Sequence, residues 1–528
     1  MDDQPAAPSV LSPLTIRELL DARIRSDADH VYYRFEDRAL TLGALAVRIN
    51  RFANGLLALG LKPGDRLAVM LPNHPDYVVA FLAMARIGIC QVPINVNLRG
   101  ASLQYQVDHS DLRGIILDER FAEHVLPTLR PDNMPLVIAR GSFAAGLGRV
   151  VPFVEIEAKS SAETPPVTTR QEDTLCILYT SGTTGVPKGV LVSDKMLQAA
   201  GWAAARLADV RGGDVLYLWE PIYHIGGCEV LILALLERVT LGLVERLSLS
   251  RFWDDARRFG ATHIHFFGGV LPLLLKEPPS PADRDHGVRI AWGGGCPAPI
   301  WKPFQERFGL RIRECYGMTE SSSFTTLNTA EKFGSVGTPL PYFEVRIAGD
   351  DGAVLAPDQR GEIWVRAKEP GVVMKEYFRN AEATAATLVD GWLRTGDFGY
   401  RDAEGFFYYA GRKKDSLRRR GENISAWEVE RVLNEHPDIA ESAVVGVDND
   451  IADQDVKAFV RLKFGHKLDP AALIDWCEPR MARFQIPRYV AFIDEFPKTP
   501  TERIRKEFLS RTADNCWDKE RSKDVRAR

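Results

Sequence analysis

Apolar residues recur along the first two hundred positions in two alternating rhythms. Thr15 to Arg25 and Ala44 to Leu59 space them three and four apart, which predicts amphipathic helices. Short apolar runs lie between such stretches. Asp65 to Met70, Cys90 to Ile94 and Gly114 to Leu117 read as buried strands, with a helix over Asp76 to Ile87. This alternation predicts parallel sheets covered by helices. Residues 141–173 lose the rhythm, carry Pro, Ser, Thr and Glu, and read as a surface connection. The rhythm resumes with TLCILY and GVLVS as strands, then a helix through Leu207 with Ser193 as its N-cap.

Around 340–411 the pattern shortens. FEVRIAG, GEIWVRA and GFFYYAG alternate like exposed strands, with Gly and Asp turns between them, and predict a small antiparallel unit. Beyond Gly411 come a basic segment, the helix WEVERVLNEH, strands SAVVGV and VKAFVRL, and the helix DPAALIDWCEPR. The expected fold class is α/β with an α+β C-terminal domain: a large N-terminal domain over 1–411 and a small one over 412–528. A chain of 528 residues is long enough for two cores.

Composition adds exclusions. A formal net charge of -4 gives no electrostatic ground for nucleic acid or an anionic membrane. No apolar run reaches bilayer length, and EVLILALLE at 229–237 reads as a buried helix. The N-terminus has no basic region followed by an apolar run, so no signal or transit peptide is expected. Seven scattered cysteines without a CxxC pair fit reduced thiols in a cytoplasmic protein.

The candidate chemistry starts at Tyr179 to Val190, YTSGTTGVPKGV. Glycines let backbone N–H groups turn toward an anion, hydroxyls add donors, and Lys188 adds a positive charge, so the loop reads as a phosphate cradle. The Walker spacing GxxxxGK[ST] is absent, and the loop joins two strands where a Walker loop opens a helix. A flexible hairpin turn is the alternative. Read alone, Tyr316 to Glu320 could equally be a strand end running into a helix cap, and Asp397 after Gly396 a turn residue. His263 and His265 alternate like core strand positions, without a third metal ligand.

The strings YTSGTTGVPKG, YGMTE, WLRTGD and GRKKDSLRRRGENISAWEVE, in that order, resemble the adenylate-forming enzymes over roughly residues 15–510. That family includes acyl-CoA synthetases, firefly-type luciferases and peptide-synthetase adenylation domains. The resemblance implies ATP- and Mg2+-dependent activation of a carboxylic acid to an acyl-adenylate with release of pyrophosphate. It assigns Thr180, Ser181, Gly182, Thr183, Thr184, Gly185 and Lys188 to the β- and γ-phosphates. Tyr316 would stack on adenine beside Gly317, Thr319 donate to phosphate, and Glu320 hold magnesium. Asp397 would accept the ribose hydroxyls, and Arg412 touch ribose or phosphate. Gly293, Gly294, Gly295 and Cys296 would border adenine and the acyl chain.

His224 in EPIYHIGG matches the family position beside the acyl carboxylate. The absence of an aspartate in that stretch disfavours amino-acid activation, and no trusted signal supports light emission. RRRGENISAWEVE resembles the crotonobetaine/carnitine-CoA ligase-like group, so coenzyme A is the expected acceptor. Lys414 would mark the hinge of a swinging C-terminal domain, and Gly421 would line the pantetheine tunnel. Arg418, Arg419 and Arg420 would meet CoA phosphates or form a solvated charge run. The family's terminal Gly-Lys is replaced by Glu502 and Arg503, so Arg503 is expected to bridge carboxylate and α-phosphate, with Lys498 or Lys506 as substitutes. The acyl pocket is expected from His224, Gly226, Gly227, Phe267, Gly268, Gly269, Gly295 and Met318, apolar and roomy enough for branched, medium-chain, aryl, steroid-derived or carnitine-like acids. The alternatives are an adenylating enzyme with a non-CoA acceptor and a regulatory pseudoenzyme. A homodimer is the common assembly of such relatives.

Overall fold

The computed structural model describes residues 9–129, 136–143, 149–180, 186–267, 270–296, 298–349, 351–412, 416–419, 422–449, 453–497, 504 and 506–521. Among them, two large sheets flank a layer of helices. The first orders its strands Val150–Pro152, Leu136–Arg140, Gly114–Asp118, Arg66–Met70, Cys90–Pro93, Thr174–Thr180 and Lys188–Ser193. All neighbours in it are parallel except the last pair, which forms an antiparallel hairpin. The second sheet has nine strands. Its centre is the parallel set Val215–Leu218, His263–Phe267, Ile290–Gly294 and Arg311–Tyr316.

The helices between the sheets are apolar on nearly every side. Pro75–Arg86 is buried at each position from Tyr77 to Arg86, and Ile225–Leu236 from Gly226 to Leu235. A helix without a polar face must be covered all round. One apolar cluster accordingly runs from Val69 and Leu178 of the first sheet through Phe81, Leu197 and Ile232 to Leu218 and Trp292 of the second. Ser193 caps Asp194–Ala208 as expected, its side chain accepting from the Met196 N–H at 3.2 Å.

Residues 141–173, expected as a surface connection, contain the strand Val150–Pro152 and the helix Phe153–Lys159. Only Phe153 and Ile156 of that helix are buried, too few to print a period on the sequence, yet Phe153 stacks on Phe52 at 4.2 Å. The antiparallel unit forms from Phe343–Ala348, Gly361–Ala367, Leu388–Val389, Trp392–Arg401 and Phe407–Arg412. The C-terminal part holds the hairpin Ser416–Arg419 and Glu422–Ser425, helices Ala426–Asn434 and Pro470–Cys477, and a four-stranded sheet. It buries its own apolar cluster, from Leu417 to Val490.

Candidate active site

Residues flagged for chemistry follow the carboxyl ends of neighbouring parallel strands. His224 comes after Val215–Leu218, Phe267 ends its strand, Gly293 to Cys296 end the next, and Tyr316 to Glu320 leave Arg311–Tyr316. Open α/β sheets bind ligands at that edge, where loops can present side chains and unpaired backbone.

The phosphate loop springs from a rigid base. Thr180 and Lys188 lie opposite each other in the hairpin register. Tyr179 turns its hydroxyl to His109 Nδ1 at 2.7 Å and Ser110 Oγ at 3.0 Å, and the Tyr105 hydroxyl donates to Pro187 O at 3.2 Å. Ser181, Gly182, Thr183, Thr184 and Gly185 lie outside the described residues. The Lys188 ammonium stands 4.8 Å from the centroid of the Tyr377 ring. That tyrosine donates its hydroxyl to Glu320 Oε1 at 2.8 Å, so one aromatic side chain touches both the phosphate-loop lysine and the expected magnesium ligand.

Glu320 leaves a tight turn. Met318 is extended, Thr319–Ser321 form one 3-10 turn, and Ser322 and Ser323 take left-handed φ of 56° and 69°. Gly317 fits because a Cβ there would fall 2.0 Å from Ser323 O. Before it, the Tyr316 hydroxyl donates to Asp397 Oδ2 at 2.8 Å. Burial, with the Asp397 charge, pushes the Tyr316 phenol far above its ordinary pKa, which keeps it protonated and donating. Asp397 is fixed in turn: its N–H donates to Thr395 Oγ1 at 3.1 Å, and the preceding Gly396 N–H to Glu362 Oε1 at 3.0 Å. Arg412 pairs opposite Asp397 in the ladder.

Glu314 was not legible as a site residue. Its carboxylate accepts the Gly295 N–H at 2.5 Å and the Cys296 N–H at 3.1 Å, and so shapes the glycine loop that Gly293, Gly294 and Gly295 form. Burial, reinforced by Glu314, pushes the Cys296 thiol up and leaves it protonated.

On the expected acyl side, protein atoms approach two of the glycines closely. A Cβ on Gly226 would lie 2.6 Å from the Phe267 ring, and one on Gly227 2.3 Å from Pro221 O. Those glycines admit protein atoms, and Phe267 with Trp219, edge-on at 6.2 Å, forms an aromatic wall. His265 is core, as expected, but its Nδ1 lies 2.8 Å from the buried Glu220 carboxylate and its ring stacks on Trp292 at 4.0 Å. Gly268 and Gly269 lie outside the described residues.

His224 reaches across to the C-terminal part, with Nε2 3.1 Å from Glu422 Oε2 on the hairpin strand Glu422–Ser425. Partial desolvation by the surrounding protein disfavours charge on its imidazole, but Glu422 outweighs that and raises the pKa above the ordinary histidine value. Arg419 points into its own domain: it donates to Ile486 O at 2.8 Å and Phe484 O at 3.2 Å and pairs with Asp455 at 3.1 Å. Lys506 pairs with Glu430 at 2.6 Å. Lys414, Arg420, Gly421, Lys498, Glu502 and Arg503 lie outside the described residues. Tyr377, Glu314 and Glu422 are what sequence reasoning missed; Glu422, inside the quoted RRRGENIS string, and Glu314, just before YGMTE, had a signal nearby, and Tyr377 had none.

Residues 20–378 match the model of the AMP-binding enzyme family, and residues 428–503 that of the AMP-binding enzyme C-terminal domain. The chain is 32% identical over 483 residues to a crotonobetaine/carnitine–CoA ligase of Salmonella choleraesuis strain SC-B67, covering 89% of this chain and 93% of the relative. It is also similar to o-succinylbenzoate CoA synthetase of Bacillus subtilis in two states. A double mutant bound to a CoA product analogue gives a TM-score of 0.80 at 27% identity, covering 93% of this chain and 98% of that one. The complex with ATP and magnesium gives 0.66 at 28% identity with the same coverage. This chain superposes more closely on the first of these structures than on the second. No helix among the described residues is long and apolar enough to cross a membrane. The chain belongs to the AMP-binding enzyme family and, within it, to the AMP-forming acyl-CoA ligases.

Proposed function

We propose that this protein converts a largely apolar carboxylic acid to its CoA thioester, and that the arrangement seen is the one for the second half-reaction. In the first, a carboxylate oxygen attacks the α-phosphorus of ATP and pyrophosphate leaves. In the second, the CoA thiol attacks the acyl carbonyl and AMP leaves. The observation that carries this reading is the His224–Glu422 contact, which brings the strand Glu422–Ser425 to the residue expected beside the acyl carboxylate. The higher similarity to the state bound to a CoA product analogue supports it.

The residues take these roles. Thr180, the Ser181–Gly185 segment and Lys188 grip the β- and γ-phosphates, and Thr319 donates to phosphate. Asp397 accepts the ribose hydroxyls while Tyr316 holds one of its oxygens and presents its ring to adenine. A single carboxylate, Glu320, beside that loop fits magnesium, which prefers hard oxygen donors and completes its shell with phosphate and water. When bound, the ion neutralises charge on the leaving pyrophosphate. The acyl chain lies against Phe267, Met318 and Trp219. Residues 411–415 divide the domains and Lys414 is the hinge. Arg419, turned inward, braces the hairpin, and the CoA phosphates are left to Arg418 and Arg420.

Arg503 bridges carboxylate and α-phosphate in the first half-reaction. The test is pyrophosphate release and thioester formation over a panel of acids. Arg503→Ala should slow pyrophosphate release about 10²-fold or more while thioester formation from supplied acyl-adenylate persists; equal rates in Arg503→Ala and the parent would remove the residue from the mechanism. A non-CoA acceptor is the reading to adopt if adenylate forms and CoA never consumes it.

A further inference from the structure

We propose that Tyr377 is a positioning residue for the magnesium–nucleotide complex. Its hydroxyl sets the Glu320 carboxylate and its ring sets the Lys188 ammonium, so that two groups from different sheets meet one ligand in register. The proposal rests on the reading of Glu320 and Lys188 given above.

The backbone around Tyr377 is laced to both partners. The Phe378 N–H donates to Gly189 O at 2.7 Å, the Leu191 N–H to Glu376 O at 3.4 Å, and Tyr377 bridges Val190. Residues 376–378 therefore lie along Lys188–Ser193, the edge strand of the first sheet. Three residues before Tyr377, the Met374 N–H donates to Glu320 O at 2.8 Å, which ties the same segment to the turn that leaves the second sheet. Tyr377 is itself immobilised: the residue is 4% exposed, and its N–H donates to Thr384 Oγ1 at 3.0 Å. A buried ring with this footing fixes the spacing of the two groups more firmly than two long side chains could alone. The hydroxyl aims Glu320 through a hydrogen bond to a charged acceptor, and the ring face holds the ammonium by cation–π attraction.

The two contacts separate chemically. Tyr377→Phe removes the hydroxyl and keeps the buried ring; Tyr377→Leu removes both. Mn2+ binding to the protein–ATP complex, followed by its electron paramagnetic resonance signal, reads the Glu320 contact. ATP binding in EDTA reads the Lys188 contact. Tyr377→Phe should weaken Mn2+ about tenfold and leave metal-free ATP binding within about twofold of the parent. Tyr377→Leu should in addition weaken metal-free ATP binding by roughly threefold. In a Glu320→Gln background the Tyr377→Phe effect on Mn2+ should shrink to about nothing, because the hydroxyl acts through that carboxylate. A variant that merely loosened the fold would lose the same factor in both backgrounds, which would overturn the proposal. So would parent-like Mn2+ binding in Tyr377→Phe. A parent protein that binds neither ATP nor Mn2+–ATP would instead overturn the underlying reading of Glu320 and Lys188, and this proposal with it.

Discussion

The nucleotide side of the site and its thiol-acceptor side are held by different means. On the proposed nucleotide side, Tyr316, Glu320 and Asp397 are buried, lie in or beside regular ladders, and are each gripped by a second residue. On the acceptor side, the contacts cross between the large domain and the C-terminal part. His224 meets Glu422 with 46% of its side chain exposed, and Gly100 meets the backbone of Arg480. On the function proposed above, the adenylate stays bound through both half-reactions, so its residues can be locked. On the same proposal the acceptor side assembles for one half-reaction and comes apart for the other, which asks for contacts weak enough to break. Rigidity would then be placed where the ligand is common to both steps.

The sharpest way to break this contrast is to damage the locked side. Asp397→Ala should lower kcat/KM for ATP by roughly 10²–10³-fold, since two charge-assisted hydrogen bonds at about 1.5–2 kcal/mol each are lost. The same factor, within a few-fold, should appear in thioester formation from supplied acyl-adenylate, because the AMP half is held by the same carboxylate. Loss confined to one half-reaction would mean that the nucleotide side is not shared.

What could be read from the sequence divides along a related line. The βα alternation was visible because buried strands and covered helices have distinct periods, as in Asp65 to Ile94. Tyr316, Asp397 and the phosphate loop were singled out because each sits in a short string that resembles a family motif, in the family's order; read alone, Tyr316 and Asp397 stayed ambiguous. Tyr377 and Glu314 were not singled out, since each acts across a distance in sequence on another element: Tyr377 lies 57 residues from Glu320. Arg419 illustrates a period left unused. In the strand Ser416–Arg419, side chains alternate, so Arg419 falls on the same face as Leu417, and both are buried, at 7% and 2% exposure. The helix Phe153–Lys159 stayed hidden because two buried residues do not make a stripe.

A smaller effect should come from the crossing at Gly100. This residue opens the helix Gly100–Ser110 at a φ of +54°, and a Cβ there would sit 2.7 Å from Arg480 O and 3.2 Å from its Cα. Backbone cannot move aside as a side-chain tip can, so Gly100→Val should push the C-terminal part out of this arrangement. Thioester formation from acyl-adenylate should fall about tenfold, an overpacking cost of about 1–3 kcal/mol, while pyrophosphate release holds. Left-handed strain would add a cost of about 1 kcal/mol to folding, which a melting curve reads separately. Equal loss in both half-reactions would show that Gly100 does not distinguish them.

The smallest and most diagnostic effect concerns His224. Glu422 raises its pKa against the opposing desolvation by the protein around the ring, so protonation favours the docked arrangement. The ionic part of the contact is complete below the ordinary histidine value of about 6.5 and is lost as pH rises through the raised value. With nearly half of the imidazole in water, screening keeps this part to about 0.5–1 kcal/mol, or roughly two- to fivefold in the docked population. The ratio of thioester formation to pyrophosphate release should therefore fall by that factor on going from slightly acidic to alkaline pH. Glu422→Gln should flatten the dependence and set the ratio near its alkaline value at every pH, since an amide can hydrogen-bond to the ring without favouring its charge. If the variant kept the parent's slope, the titration would belong to another group, and the acceptor side would owe its docking to shape at Gly100 and not to charge at His224.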